Sequence, residues 1–147
     1  MPLSRGPRFA PHRRGTVDMG ALEGRTALIT GASGGMGRAT AVEFAKEGAK
    51  GIGLQYAKNR DAAESVAKAV RGHGAEPLLL KADVSDRDAC HGIVRTFVDR
   101  FRRLDALVCY AGYPFRKEVW FAEFEGLTEE AFLAPLRVDL LGSVFAA

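Results

Sequence analysis

After Gly24 the chain alternates between two textures. Short runs that are apolar almost throughout stand at Thr26–Thr30 (TALIT), Gly51–Gln55 (GIGLQ), Pro77–Leu80 (PLLL) and Ala106–Cys109 (ALVC). Between them lie longer stretches whose apolar positions recur every three to four residues. Ala39, Val42, Phe44 and Ala45 mark the first, and Ala62, Ala63, Val66, Ala67 and Val70 the second; Ile93, Val94, Phe97, Val98 and Phe101 mark the third. Uniformly apolar short runs predict strands buried on both faces, and the helical recurrence predicts amphipathic helices between them. Strands that alternate with helices of ten or more residues imply βαβ units and a parallel sheet covered on both sides. Right-handed crossovers then place the strands in the order 3-2-1-4. Ser85, with Asp88 three residues on, predicts a capping box at the start of the third helix, with Asp in the usual Glu/Gln place. A last helical stretch begins near Thr128 and runs to Ala147, with Phe132, Leu136, Leu140 and Val144 on its apolar face.

Composition adds little to this picture and charge adds one feature. A chain of 147 residues with 47% hydrophobic and 27% charged residues suits one globular domain. No apolar run is long enough to cross a bilayer, so no membrane partner is expected. Arg5, Arg8, Arg13 and Arg14 against Asp18 give residues 1–18 the whole net charge of +3, and the remaining 17 basic and 17 acidic residues cancel. A basic tail on a neutral body does not make a nucleic-acid face. The tail lacks the apolar core of a secretory signal, and Pro2, Pro7 and Pro11 disrupt the amphipathic helix of a transit peptide. It is expected to be disordered, with the domain occupying residues 19–147. Cys90 and Cys109 match no metal or redox spacing, so two buried free thiols in a reducing, cytoplasmic compartment are expected, and no metal.

The candidate chemistry begins where TALIT runs into GASGGMG and then a helix. Gly31, Gly35 and Gly37 fit G-x-x-x-G-x-G, and Gly34 lets the same letters fit G-x-x-G-x-x-G. Between a first strand and a first helix, such glycines supply a tight turn, close backbone approach to a pyrophosphate, and close packing of helix on strand. The helix N-terminus offers free N–H groups and a partial positive charge to the anion, and Ser33 adds a hydroxyl donor. A NAD-binding domain usually carries an acid at the end of its second strand to take the ribose hydroxyls. That place falls here at Gln55 or Tyr56, followed by AKNR, where Lys58 and Arg60 suit a 2′-phosphate. NADP is therefore favoured over NAD. The missing acid also counts against an S-adenosylmethionine methyltransferase, which shares the glycine-loop architecture.

At this point the chain resembles the short-chain dehydrogenase/reductase family. TGASGGMG (residues 30–37) is similar to its Thr-Gly-x-x-x-Gly-x-Gly loop, and KADVSD to the segment after the third strand. LVCYAG is similar to its Asn-Asn-Ala-Gly motif on strand four, and RVDLLGSVF to its fifth helix. The resemblance implies an α/β fold, the N-terminal portion of a Rossmann-type doubly wound parallel sheet (β1-α-β2-α-β3-α-β4-α), incomplete. It implies phosphate contacts from Gly31, Ser33, Gly35, Met36 and Gly37, and a 2′-group near Tyr56 and Lys58. Asp83 and Val84 would hold the adenine, and Ala111 and Gly112 would flank the ribose and nicotinamide. The implied function is NAD(P)(H)-dependent hydride transfer of a 3-oxoacyl-reductase-like kind, reducing a small-molecule carbonyl or oxidising an alcohol. The family's fifth helix also helps build a dimer face, which implies a homo-oligomer through the C-terminal helix.

Three departures qualify this expectation. Cys109 and Tyr110 replace the family's two strand-four asparagines, and Asp139 replaces the helix-five asparagine that holds a water in its proton relay. Asp139 is thus the one catalytic position carried over. The family's serine on the fifth strand and its Tyr-x-x-x-Lys would lie beyond residue 147, so the chain is expected to be truncated and inactive as written. Tyr113 and Lys117, in YPFRK, mimic the pair by coincidence: they follow strand four directly, with Pro114 between them. The aromatic stretch to Leu127 (Phe115, Trp120, Phe121, Phe124) reads as a loop at a strand's carboxyl end, expected to pack against the body, with a substrate mouth lined by Trp120 and its neighbours as the other reading. The alternative reading is a non-catalytic half-domain that binds nucleotide or a partner.

Overall fold

The computed structural model describes residues 20–147, and the basic tail at residues 1–18 lies outside them. Strands β1 (Thr26–Thr30), β2 (Gly51–Tyr56), β3 (Glu76–Lys81) and β4 (Ala106–Cys109) form a parallel sheet in the order β3-β2-β1-β4, as the alternation predicts. β1 and β4 have the predicted bounds. β2 and β3 run slightly longer, because their pairing continues from Gly51 opposite Glu76 to Tyr56 opposite Lys81. Pro77 is accommodated because β3 is an edge strand, where a missing N–H costs no ladder bond.

The central strands are buried on both faces. Leu28 packs with Leu80, Ile93 and Phe97 on one side of β1, and Ile29 packs with Ala41, Ala45, Val66 and Val70 on the other. The Phe97 ring fits over β2 because position 53 is glycine: a Cβ there would lie 2.7 Å from the ring. Asp105 fastens the amino ends of β1 and β4 together. Its carboxylate accepts hydrogen bonds from the Thr26 N–H at 2.8 Å, from Arg103 Nε at 2.8 Å and from Arg25 Nη1 at 3.2 Å.

Helices α1 (Gly35–Lys46), α2 (Arg60–Gly72) and α3 (Arg87–Phe101) connect the strands. α2 buries Ala63, Val66, Ala67 and Val70, and α3 buries Cys90, Ile93 and Phe97. The stripe on α1 is rotated from the expected one. Gly37, Ala41 and Ala45 are buried and Ala39 is exposed, since close approach at Gly37 fixes which face meets the sheet. The expected capping box at Ser85 is absent. Asp86 caps α3 instead, accepting from the N–H groups of Asp88 and Ala89, while Ser85 gives its hydroxyl to Asp83. The Asp86 carboxylate, one residue nearer the helix, reaches the free amides directly.

Past β4 the aromatic stretch is not a plain loop. It holds a short helix, α4 (Lys117–Trp120), and a 3₁₀ turn (Phe124–Gly126). Phe115, Trp120, Phe121 and Phe124 are exposed, so the stretch is not buried against the body as expected; Phe115 contacts Trp120, with ring centroids 5.6 Å apart, and Phe124 contacts Phe132 at 6.1 Å. The last helical stretch starts as predicted, with the Thr128 hydroxyl capping α5 (Glu129–Pro135), but it is not one regular helix. A π-helical segment (Leu136–Leu141) separates α5 from α6 (Gly142–Ala146). Pro135 supplies no N–H to the preceding turn, and the winding loosens immediately after it. Phe132, Leu136, Leu140 and Val144 are all exposed.

Candidate nucleotide groove

Loops from all four strands meet beyond the carboxyl end of the sheet. The turn after β1 is set by Gly31, whose φ of +64° lies in the left-handed region. A Cβ at this position would lie 2.7 Å from the Ala111 nitrogen and the Tyr110 carbonyl, so only glycine lets β4 close against the turn. The Gly34 N–H then donates to the Gly31 carbonyl at 3.0 Å, and α1 begins. Gly37 lies buried against Gly31 and Ala32. In contrast, a side chain at Gly35 would meet no protein atom within 4 Å. The helix also lacks a side-chain cap and carries no acid in its first turn, whereas α2, α3 and α5 each start on a side chain that takes their free amides. The first amides of α1 are left for something else.

These loops line a groove of about 790 Å³. Of the positions singled out in the sequence, Gly31, Ser33, Tyr56, Lys58, Asp83, Val84, Ala111 and Gly112 lie on its wall. Gly35, Met36 and Gly37 do not: the Met36 side chain projects into solvent, and Gly37 is packed beneath the turn. Arg60 is also absent, because its guanidinium pairs with Glu64 at 2.7 Å. Asp83 accepts from the Ser85 hydroxyl at 2.7 Å and the Ser85 N–H at 2.9 Å. Those bonds, with Lys58 nearby, hold its carboxyl below the usual range, so it is charged at neutral pH. Val84 is pinned from behind, since a Cβ on Gly142 of α6 would lie 2.9 Å from its Cγ2.

Asp139 lies on the π-helical segment and does not line this groove. Its Oδ1 accepts from the Tyr113 N–H at 2.6 Å, which fastens the chain just after Gly112 to the last helix. Together with Tyr113, Trp120, Phe132 and Leu136 it borders a second hollow of about 550 Å³. Tyr113 lies before α4 and Lys117 begins it, so they share no helix face; the nearby Tyr113 side chain pushes the Arg116 pKa up. Tyr110, at a family asparagine position, accepts from the Thr40 hydroxyl at 3.3 Å and ties β4 to α1. Cys90 is buried, and burial pushes its thiol pKa up. Cys109 is exposed, against the expectation of two buried thiols, because the burial of β4 fades at its last residue.

The sequence signals left one charged wall residue unnamed and one named residue without its role. Arg116 lines the groove from the segment after β4. Gln55, one of the two positions expected at the ribose, lies at the groove but is buried, with both ends of its carboxamide bonded to backbone. Its position at the end of an apolar strand was the only signal.

The family profile described as short chain dehydrogenase matches residues 25–147. The chain belongs to that family. It is 35% identical over 126 residues to versicolorin reductase of Emericella nidulans, which covers 86% of this chain and 46% of that protein. It is 38% identical over 94 residues to the 3-oxoacyl-[acyl-carrier-protein] reductase of Synechocystis sp., covering 64% of this chain and 38% of that one. In structure it is similar to a Burkholderia cenocepacia dehydrogenase with bound NADP, with a TM-score of 0.77 at 25% identity over 85% of this chain and 46% of that one. The chain spans about half the length of the curated relatives it matches. Among the described residues, no helix is long and apolar enough to cross a membrane.

Proposed function

We propose that this chain is the dinucleotide-binding part of a short-chain oxidoreductase that uses NADP(H) to reduce a small-molecule carbonyl or oxidise the corresponding alcohol. The observation that carries this reading is an uncapped α1 terminus following a glycine turn, with open space at Gly35, beside a groove lined by Gly31, Ser33, Gly34 and Lys58. The first amides of α1 and the Ser33 hydroxyl would hold the pyrophosphate. Asp83 and Val84 would flank the adenine, and Ala111 and Gly112 the nicotinamide ribose. The cofactor supplies the hydride; this chain's own residues bind it, orient it and shield it. Preference for NADP rests on Lys58, for the wall carries no carboxylate at the end of β2. Unpaired cysteines suit a cytoplasmic setting. No Tyr-x-x-x-Lys other than Tyr113 to Lys117 occurs in the sequence, so the 147-residue chain is expected to bind without turnover. Calorimetric titration with NADPH, followed by an assay of NADPH oxidation with a carbonyl substrate, tests both halves.

A second reading has its own observation. Phe132, Leu136, Leu140 and Val144 are 48–60% exposed on one side of the last helical stretch. A patch of this kind favours association with a second copy or another partner, and light scattering across a dilution series reports it.

A further inference from the structure

Gln55 ends β2 at the point where three chain segments leave the sheet side by side. Its side chain is 1% exposed. Its Oε1 accepts from the Gly31 N–H at 2.8 Å, and its Nε2 donates to the Ala82 carbonyl at 2.7 Å. The partners fix the orientation of the amide, since a backbone N–H can only donate and a carbonyl can only accept. Backbone bonds reinforce the same junction: the Ala32 N–H donates to the Gln55 carbonyl at 2.9 Å, and the Ala82 N–H to the Tyr56 carbonyl at 3.1 Å. Gly31 opens the glycine turn, and Ala82 immediately precedes Asp83 and Val84. One buried carboxamide therefore links the wall at the pyrophosphate end of the groove to the wall at its adenine end.

We infer that Gln55 is a positioning residue that holds these two walls at the spacing a dinucleotide requires. This rests on the reading of the groove given above. No other unbranched side chain of this length offers both an acceptor and a donor without charge at neutral pH. Glutamate would set a carboxylate oxygen against the Ala82 carbonyl, and methionine would fill the same space while leaving the Gly31 N–H and the Ala82 carbonyl without this partner. The turn and the adenine segment would then move independently, and a ligand that spans both would have to order them on binding.

The test is NADPH titration of the native chain and of Gln55→Met, with thermal unfolding of each. Native binding with about tenfold weaker binding by the folded variant is expected, from the loss of one to two neutral hydrogen bonds that hold the site. An unchanged dissociation constant overturns the inference even if the melting temperature falls, because a role confined to stability moves only the latter. If the variant does not fold, the native chain decides the matter by NMR with 2′-AMP, which carries adenine but nothing for the glycine turn. A shift of the Gly31 amide resonance is the expected result, since the adenine segment pulls on that amide through Gln55. An unmoved Gly31 amide overturns the inference. Failure of the native chain to bind either NADPH or NADH would instead remove the reading of the groove, and the role of Gln55 with it.

Discussion

Alanine at Gly31 and alanine at Gly35 are expected to have opposite consequences. At Gly31 the backbone is left-handed, and an L-residue there costs about 1–2 kcal/mol. The new methyl would also lie 2.7 Å from the Ala111 nitrogen and the Tyr110 carbonyl, backbone atoms that cannot swing aside. Forcing β4 away adds about 1–3 kcal/mol of overpacking. The sum, about 2–5 kcal/mol, is a large share of the roughly 5–15 kcal/mol that holds a domain folded. At about 3–5 °C per kcal/mol for a domain of this size, a fall of about 10–15 °C in Tm is expected for a mid-range loss. At Gly35 a methyl meets no protein atom within 4 Å and sits in the first turn of α1, where alanine is the better helix former. Tm should hold or rise slightly. NADPH affinity should nevertheless fall about tenfold or more, because on the proposed placement the methyl would crowd a phosphate held at the α1 amides and weaken a charge-assisted bond. Differential scanning fluorimetry and calorimetric titration on the two variants read both effects. Native affinity in Gly35→Ala would refute the placement of the phosphates, and a native Tm in Gly31→Ala would refute the close seating of β4 on the turn.

The Asp105 carboxyl is held well below its ordinary value of 3.8, first by the Arg103 guanidinium and then by the Thr26 N–H. A depressed folded value means that its contribution is present above the unfolded pKa and fades as pH falls below about 4. Melting curves of the native chain and Asp105→Asn should therefore converge on acidification; a gap that widens toward low pH would contradict this. Gly142→Ala places a Cβ 2.9 Å from Val84 Cγ2, so a loss of about 1–3 kcal/mol and weaker nucleotide binding are expected together, read by chemical denaturation and titration. In the folded chain a thiol reagent should modify Cys109 quickly and Cys90 slowly, since only Cys90 is buried and has a raised pKa. Equal rates by mass spectrometry would mean that α3 does not cover Cys90 as described.

The strand order and the four strands were legible because a sheet covered on both faces demands uninterrupted apolar runs, and TALIT and ALVC stand out from amphipathic neighbours. The last apolar face was legible for a similar reason, with Phe132, Leu136, Leu140 and Val144 keeping a spacing of four through the π-helical segment. That segment was not foreseen, since Pro135 announces a lost hydrogen bond but not how the next turn rewinds. Local capping was misread at Ser85 because Asp86, one residue on, competes for the same amides, and only the backbone path decides between them. Most groove positions came from the glycine turn and the strand ends. The bridging role of Gln55 and the place of Arg116 did not, for they depend on which way a side chain leaves its strand or loop: inward between three segments for Gln55, and toward the groove for Arg116. Arg60 shows the converse, a cation at a suitable place in the sequence whose charge is already taken by Glu64 one turn along.

Whether the groove holds NADP(H) is tested most directly by titrating the native chain with NADPH and with NADH at one salt concentration, and repeating both with Lys58→Ala. NADPH is expected to bind about tenfold or more tightly than NADH to the native chain, from the charge-assisted contact between Lys58 and the 2′-phosphate, and the two affinities should become nearly equal in the variant. Equal or tighter binding of NADH by the native chain, or no binding of either nucleotide, would contradict the assignment.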